Sequence, residues 1–144
     1  MVRGVTLIEL VIVMVIVGVL AGMAAPKLPP MLDRLAVARA VNRTTAFYNT
    51  GRLSAVWKGK RVRMELGTDS LVGVLEGRSD STFLVVTGPA ADGVAMTVTR
   101  PVVWIQPNGL GLGAANTKLV FRRGKAADSL ATSRLGRLRR IIRR

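Results

Sequence analysis

The sequence predicts an α+β protein: a long N-terminal helix, transmembrane and then amphipathic, packed on a C-terminal antiparallel β-sheet domain of short strands. Three observations predict it. An apolar run with one charge fills residues 5–25, and a second stretch repeats apolar residues at helical spacing. The remainder breaks into short alternating segments separated by Gly, Pro, Asn and Asp.

The apolar run reads VTLIELVIVMVIVGVLAGMAA, with Glu9 as its charge. As a helix it extends about 31 Å, enough to cross a hydrocarbon core of about 30 Å. The run is rich in Val and Ile, yet lipid satisfies backbone groups only in helices or closed barrels, so helix is preferred over strand. Gly18 and Gly22 form a small-xxx-small pair that permits close helix approach. Pro26, Pro29 and Pro30 interrupt the helix as it leaves the membrane. Beyond them Leu35, Ala38, Val41, Thr45 and Tyr48 recur every three or four residues, which predicts an amphipathic continuation. Arg34, Arg39, Arg43 and Arg52 lie mostly off that stripe and read as a solvated face.

Gly59 is the stop signal. Strands are expected over 61–66, 71–76, 82–87, 94–99, 102–105, 118–122 and 129–133, with turns at Gly88-Pro89, Asp92-Gly93 and Asn108-Gly109. Trp57, Trp104 and Tyr48 are too dispersed to form a stacking platform and read as core.

The composition excludes whole classes of chemistry. Among 144 residues there is no Cys and no His, so thiolate or imidazole metal sites and nucleophile–histidine arrangements are absent. Eight acids occur, none closely paired, so no catalytic residues, metal or cofactor are expected and the chain does not read as an enzyme. The net charge of +14 is concentrated late: residues 122–144 hold nine basic residues against Asp128. Such a patch suits a polyanion, either nucleic acid or an anionic membrane surface, or it is a solubilising tail.

Glu9 needs an explanation. A carboxylate in an apolar helix costs roughly 2.5–3.5 kcal/mol near the bilayer centre and less near an end. A newly freed α-amine on a neighbouring subunit is a suitable counter-charge, which requires cleavage just upstream of Val5. The segment Gly4-Val5-Thr6-Leu7-Ile8-Glu9-Leu10 resembles the prepilin signature, in which a short basic leader ends in glycine. The resemblance implies cleavage between Gly4 and Val5 by prepilin peptidase, N-methylation of Val5, and an assembly role for Glu9. Val5 departs from the family's usual phenylalanine.

The helix-to-strand junction at residues 53–62 and the ending at residues 133–137 are similar to the minor pilins and pseudopilins of the GspH/FimT group. That resemblance divides the chain into a leader (1–4), the transmembrane and assembly half of the helix (5–30) and a periplasmic domain with a basic tail (31–144). It implies a single-pass inner-membrane protein that enters a pilus or pseudopilus with other pilin subunits.

Six of the last eleven residues are arginine: Arg134, Arg137, Arg139, Arg140, Arg143 and Arg144. The guanidinium fork suits bidentate phosphate contact. Gly136-Arg137-Leu138-Arg139 resembles an element associated with DNA capture in FimT-like pilins, which implies double-stranded DNA as a partner. Gly136-Arg137 is equally readable as a structural turn. Two readings therefore stay open: a filament subunit that also binds DNA, and a GspH-like pseudopilin acting only in assembly and secretion. A third, an unprocessed membrane protein whose tail touches anionic lipid, shares the helix but not the processing site.

Overall fold

The computed structural model describes residues 6–24, 28–112, 116–133 and 135–141. Helix α1 spans Leu7–Ala24 and helix α2 spans Leu28–Lys58. Eight strands follow: β1 (Val62–Leu66), β2 (Ser70–Leu75), β3 (Ser81–Thr87), β4 (Ala95–Val98), β5 (Val102–Ile105), β6 (Lys118–Arg123), β7 (Ala126–Thr132) and β8 (Leu138–Ile141). The expected helix-then-strands order is the observed one, and every expected strand is present with ends shifted by up to three residues. Strand β8 and a 3-10 turn over Pro89–Asp92 are additional.

Helix α1 is apolar on all sides, and its large side chains from Leu7 to Leu20 are exposed. Such a helix requires a covering that the other described residues do not supply. Among the described residues, no helix is long and apolar enough to cross a membrane. Val5 and Ala25, the ends of the apolar run, lie outside the described residues, as does Pro26.

Pro29 and Pro30 lie within α2, and the junction where the interruption is expected, residues 25–27, lies outside the described residues. The helix ends at Lys58, where Gly59 takes a left-handed φ of 60° as the sequence predicts.

The buried stripe of α2 is Ala36, Val37, Ala40, Val41, Thr44, Phe47, Tyr48, Gly51 and Ala55. The sequence stripe had Val41 and Tyr48 on it, but Leu35 is exposed and Ala38 and Thr45 are half-buried. Small residues decide this face: Ala36, Ala40, Gly51 and Ala55 bring the helix backbone close to the sheets. A Cβ on Gly51 would lie 2.5 Å from the Met64 sulfur. Trp57, two residues past the buried Ala55, is turned about 200° away and is 83% exposed, so it is not core.

The strands form two antiparallel four-stranded sheets, ordered β3-β2-β1-β5 and β4-β6-β7-β8. Helix α2 packs on both. Alternation puts Val62, Met64 and Leu66 of β1, Leu119 and Phe121 of β6, and Leu130 of β7 into one core with the helix.

Two arginines assigned to the solvated face are structural. Arg43 pairs with Asp92 at 2.9 Å and donates to the Gly88 carbonyl at 3.4 Å. Arg52 donates from Nε to the Gly109 carbonyl at 3.0 Å. At the other end of α2, Asp33 holds Arg123 of β6 at 3.1 Å, and Arg123 also donates to the Asp92 carbonyl. These contacts tie the helix to the loops at both of its ends.

Tyr48 is buried, and its hydroxyl has no hydrogen-bond partner among the described residues. Burial pushes the phenol above its ordinary value of 10, while the Arg52 guanidinium draws it partly back. A raised folded pKa means that stability present below pH 10 is lost as pH rises through the folded value. Tyr48 is the one tyrosine in the sequence, so phenolate absorbance near 295 nm reports it directly. The expected midpoint is above 10 in the native protein and near 10 in denaturant; equal midpoints would contradict the burial.

Candidate functional site: an apolar helix and a basic sheet face

Glu9 sits at the third position of α1. Its backbone N–H approaches the Thr6 hydroxyl oxygen at 3.3 Å, and its carboxylate accepts from the Thr6 N–H at 3.4 Å. This reciprocal pair is a capping box, with long bonds, at the first turn of the helix. The Thr6-x-x-Glu9 spacing carries that signal in the sequence, beside the membrane cost and the assembly role expected of the carboxylate. The capping contact leaves Glu9 exposed beside the helix start, accessible to a cation. Gly4 and Val5 lie outside the described residues.

The arginine-rich end divides in two. β7 and β8 are joined by a tight loop in which Ser133 donates to the Arg137 carbonyl at 2.9 Å and Gly136 donates to the Ser133 carbonyl at 3.0 Å. Gly136 has φ 67°, the left-handed region that favours glycine. Residues two apart on a strand share a face, so Arg139 and Ile141 point one way and Leu138 and Arg140 the other, while Arg137, just before β8, borders one concavity with Ala131 and Arg139. Leu138 packs against the core, which makes the Arg137–Arg139 side the outer face of the sheet. Arg140 lies on the helix side, where both Nε and a terminal nitrogen engage Asp128. Arg134, Arg143 and Arg144 lie outside the described residues.

The outer face gains two cations that the sequence reading did not select. Lys118 and Arg122 alternate with the buried Leu119 and Phe121, so both project outward from β6. Lys118 pairs across to Ala131, and Ala131 pairs across to Arg139, placing the two cations in one row. Two strand spacings separate them by roughly 10 Å, and Arg122 stands about 13 Å along β6 from Lys118. Between them lie Ala127, Ser129 and Ala131, small residues that allow a bulky polyanion to approach. Lys118, Arg122, Arg137 and Arg139 are all exposed, and among the described residues none has an ion-pair partner. The alternating pattern Lys118-Leu119-Val120-Phe121-Arg122 was the available signal, but only the pairing register, through β7, puts Lys118 of β6 in one row with Arg139.

Among the described residues, no group of three or more His, Cys, Asp or Glu could hold a metal ion. What the site offers is surface chemistry: an apolar helix at one end and a one-sign polar face on the second sheet.

Residues 1–25 match the family model described as the prokaryotic N-terminal methylation motif. The chain carries an N-terminal methylation motif. The motif covers the segment from the expected leader to the end of the apolar run. No curated protein sequence matches the chain. The fold is similar to the type IV minor pilin FimU of Pseudomonas aeruginosa, at 15% identity over 76% of this chain and 90% of FimU, with a TM-score of 0.65. It is also similar to the minor pseudopilin EpsH of the Vibrio cholerae type 2 secretion system, at 15% identity over 71% of this chain and 95% of EpsH, with a TM-score of 0.51. A methylation-motif helix thus precedes a domain with the minor-pilin fold.

Proposed function

We propose that this chain is a minor subunit of a type IV pilus or type II secretion filament. The observation that carries the reading is the conjunction of the methylation motif over residues 1–25 with the minor-pilin fold of the domain that follows. The precursor is inserted in the inner membrane by its apolar helix, with the domain in the periplasm. Prepilin peptidase cuts between Gly4 and Val5 and methylates the new amine. The subunit then enters a filament with other pilins, where the apolar face of α1 finds its covering and Glu9 meets a neighbour's N-terminus. Mass spectrometry of the protein from cells that contain prepilin peptidase tests this: the expected mass lacks residues 1–4 and carries one added methyl on Val5. Intact Met1 would overturn the reading.

Within that role, the basic outer face binds double-stranded DNA without sequence preference. Support comes from four exposed cations of one sign on a single face, two of them from the Gly136-Arg137-Leu138-Arg139 segment. Their spacings of roughly 10 and 13 Å bracket the major-groove width of a duplex, about 12 Å. Absence of duplex binding at low salt would leave filament assembly and secretion as the role.

A further inference from the structure

The strand directions give the helix side of the second sheet a different task from its outer side. β7 starts at the turn containing Gly124, which abuts Asp33 near the beginning of α2. It ends in the loop containing Gly136, which abuts Gly109 and Arg52 near the end of α2. β8 returns antiparallel to β7, so from Leu138 to Ile141 the chain runs back toward the start of α2. That start is separated from the apolar helix α1 by residues 25–27 alone.

An open cleft of about 340 Å³ lies there, lined by Arg34 and Ala38 of α2, Lys125 of the β6–β7 turn, Asp128 of β7 and Arg140 of β8. Three elements contribute its cations. The two acids close to it are already committed: Asp128 to Arg140, and Asp33 to Arg123. Arg34 and Lys125 have no ion-pair partner among the described residues. Cations held around one concavity repel each other, and an anion seated between them would relieve that cost. Arg34 is six residues into α2, about 9 Å along the helix from its first residue. The cleft therefore sits within a short reach, in chain length, of Ala24, where the described part of the apolar helix ends.

We propose that this cleft binds a phosphate-type anion through Arg34, Lys125 and Arg140, and that its source is the headgroup of an anionic phospholipid. The choice of lipid over free phosphate rests on the reading of α1 as membrane-inserted, whereas the anion site itself does not. Arg34 supplies a planar fork for two phosphate oxygens, Lys125 a mobile point charge, and Arg140 a guanidinium whose direction Asp128 fixes. Headgroup capture would hold the domain down on the membrane before the subunit is withdrawn into a filament.

The test uses the full chain in a neutral detergent, titrated with dihexanoylphosphatidylglycerol and followed by the backbone amide NMR signals of Ala126 and Ala127. Dihexanoylphosphatidylcholine, inorganic phosphate and a short DNA duplex form separate arms. Saturable shifts with phosphatidylglycerol are expected, at least tenfold weaker in Arg34→Gln/Lys125→Gln and within twofold of the original in Arg137→Gln/Arg139→Gln. All four side chains are exposed, so both variants retain the fold. Equal binding by Arg34→Gln/Lys125→Gln overturns the site. Equal or tighter binding of inorganic phosphate overturns the lipid source, and stronger shifts with the duplex assign the cleft to nucleic acid and overturn the proposal. These results are independent of N-terminal processing, so failure here is distinguishable from failure of the filament reading.

Discussion

Changing Lys118, Arg122, Arg137 and Arg139 together to glutamine is expected to lower affinity for double-stranded DNA by about a hundredfold or more at 0.1 M salt. Each phosphate neutralised on B-DNA contributes about 0.9 to the slope of log affinity against log salt, so losing four contacts should flatten that slope by about 3.6. A filter-binding or fluorescence-anisotropy series at several salt concentrations measures both quantities. The slope is the more informative, because a variant that merely unfolds loses binding without a defined change in slope. Arg140→Gln serves as an internal control. Its guanidinium is on the opposite face and engaged with Asp128, so the duplex affinity should change little. An unchanged slope in the fourfold variant would take the outer face out of consideration as a DNA surface.

The second large effect is on stability. Gly136→Ala is expected to destabilise the domain by about 3 kcal/mol, read as a lower midpoint in urea or guanidinium denaturation. Two costs combine. A left-handed φ of 67° is unfavourable for alanine, at roughly 1–2 kcal/mol. A Cβ at this position would also overlap the Gly109 carbonyl oxygen, the acceptor of the Arg52 Nε–H. Relieving the overlap means moving that loop away from Arg52, and a hydrogen bond to a charged group is worth about 1.5–3 kcal/mol. Gly59→Ala isolates the first cost: its φ is 60°, but the space around it is open. Its loss should be about 1 kcal/mol, and a loss equal to that of Gly136→Ala would mean that the Gly109 contact contributes nothing.

The two predictions meet in one short segment. Gly136 turns the chain so that Arg137 and Arg139 join the outer face while Arg140 returns to the helix side. A displaced loop would disturb both surfaces at once. Gly136→Ala should therefore weaken duplex binding beyond what its effect on the folded fraction explains.

Much of the architecture was legible in residue patterns. The all-apolar run, the helical spacing beyond it, Gly59 and the Asp92-Gly93 and Asn108-Gly109 turns all depend on local preferences of a few adjacent residues. The exact face of α2 was less legible. Leu35 is large and apolar, yet exposed, while Ala36 and Ala40 are buried, because the sheets admit small side chains where the helix backbone comes close. Trp57 misled for a similar reason: hydrophobicity does not say on which side of the last helical turn a residue falls. β8 was missed because arginine does not mark a strand, and its pairing with β7 is fixed by the Gly136 loop rather than by its own side chains.

By itself the sequence determined the class of chemistry: no histidine or cysteine, an N-terminal motif with Glu9 five residues after Gly4, and a concentration of arginine at the end. It treated those arginines as one group. Only the tertiary structure separated them, because strand alternation sends neighbouring side chains to opposite faces and pairing decides which distant residues join each face. Arg139 thereby acquires Lys118, twenty-one residues earlier, as a partner in one row, while Arg140 acquires Asp128, Arg34 and Lys125. Charge is written in composition, but the surface on which charges act together is set by register.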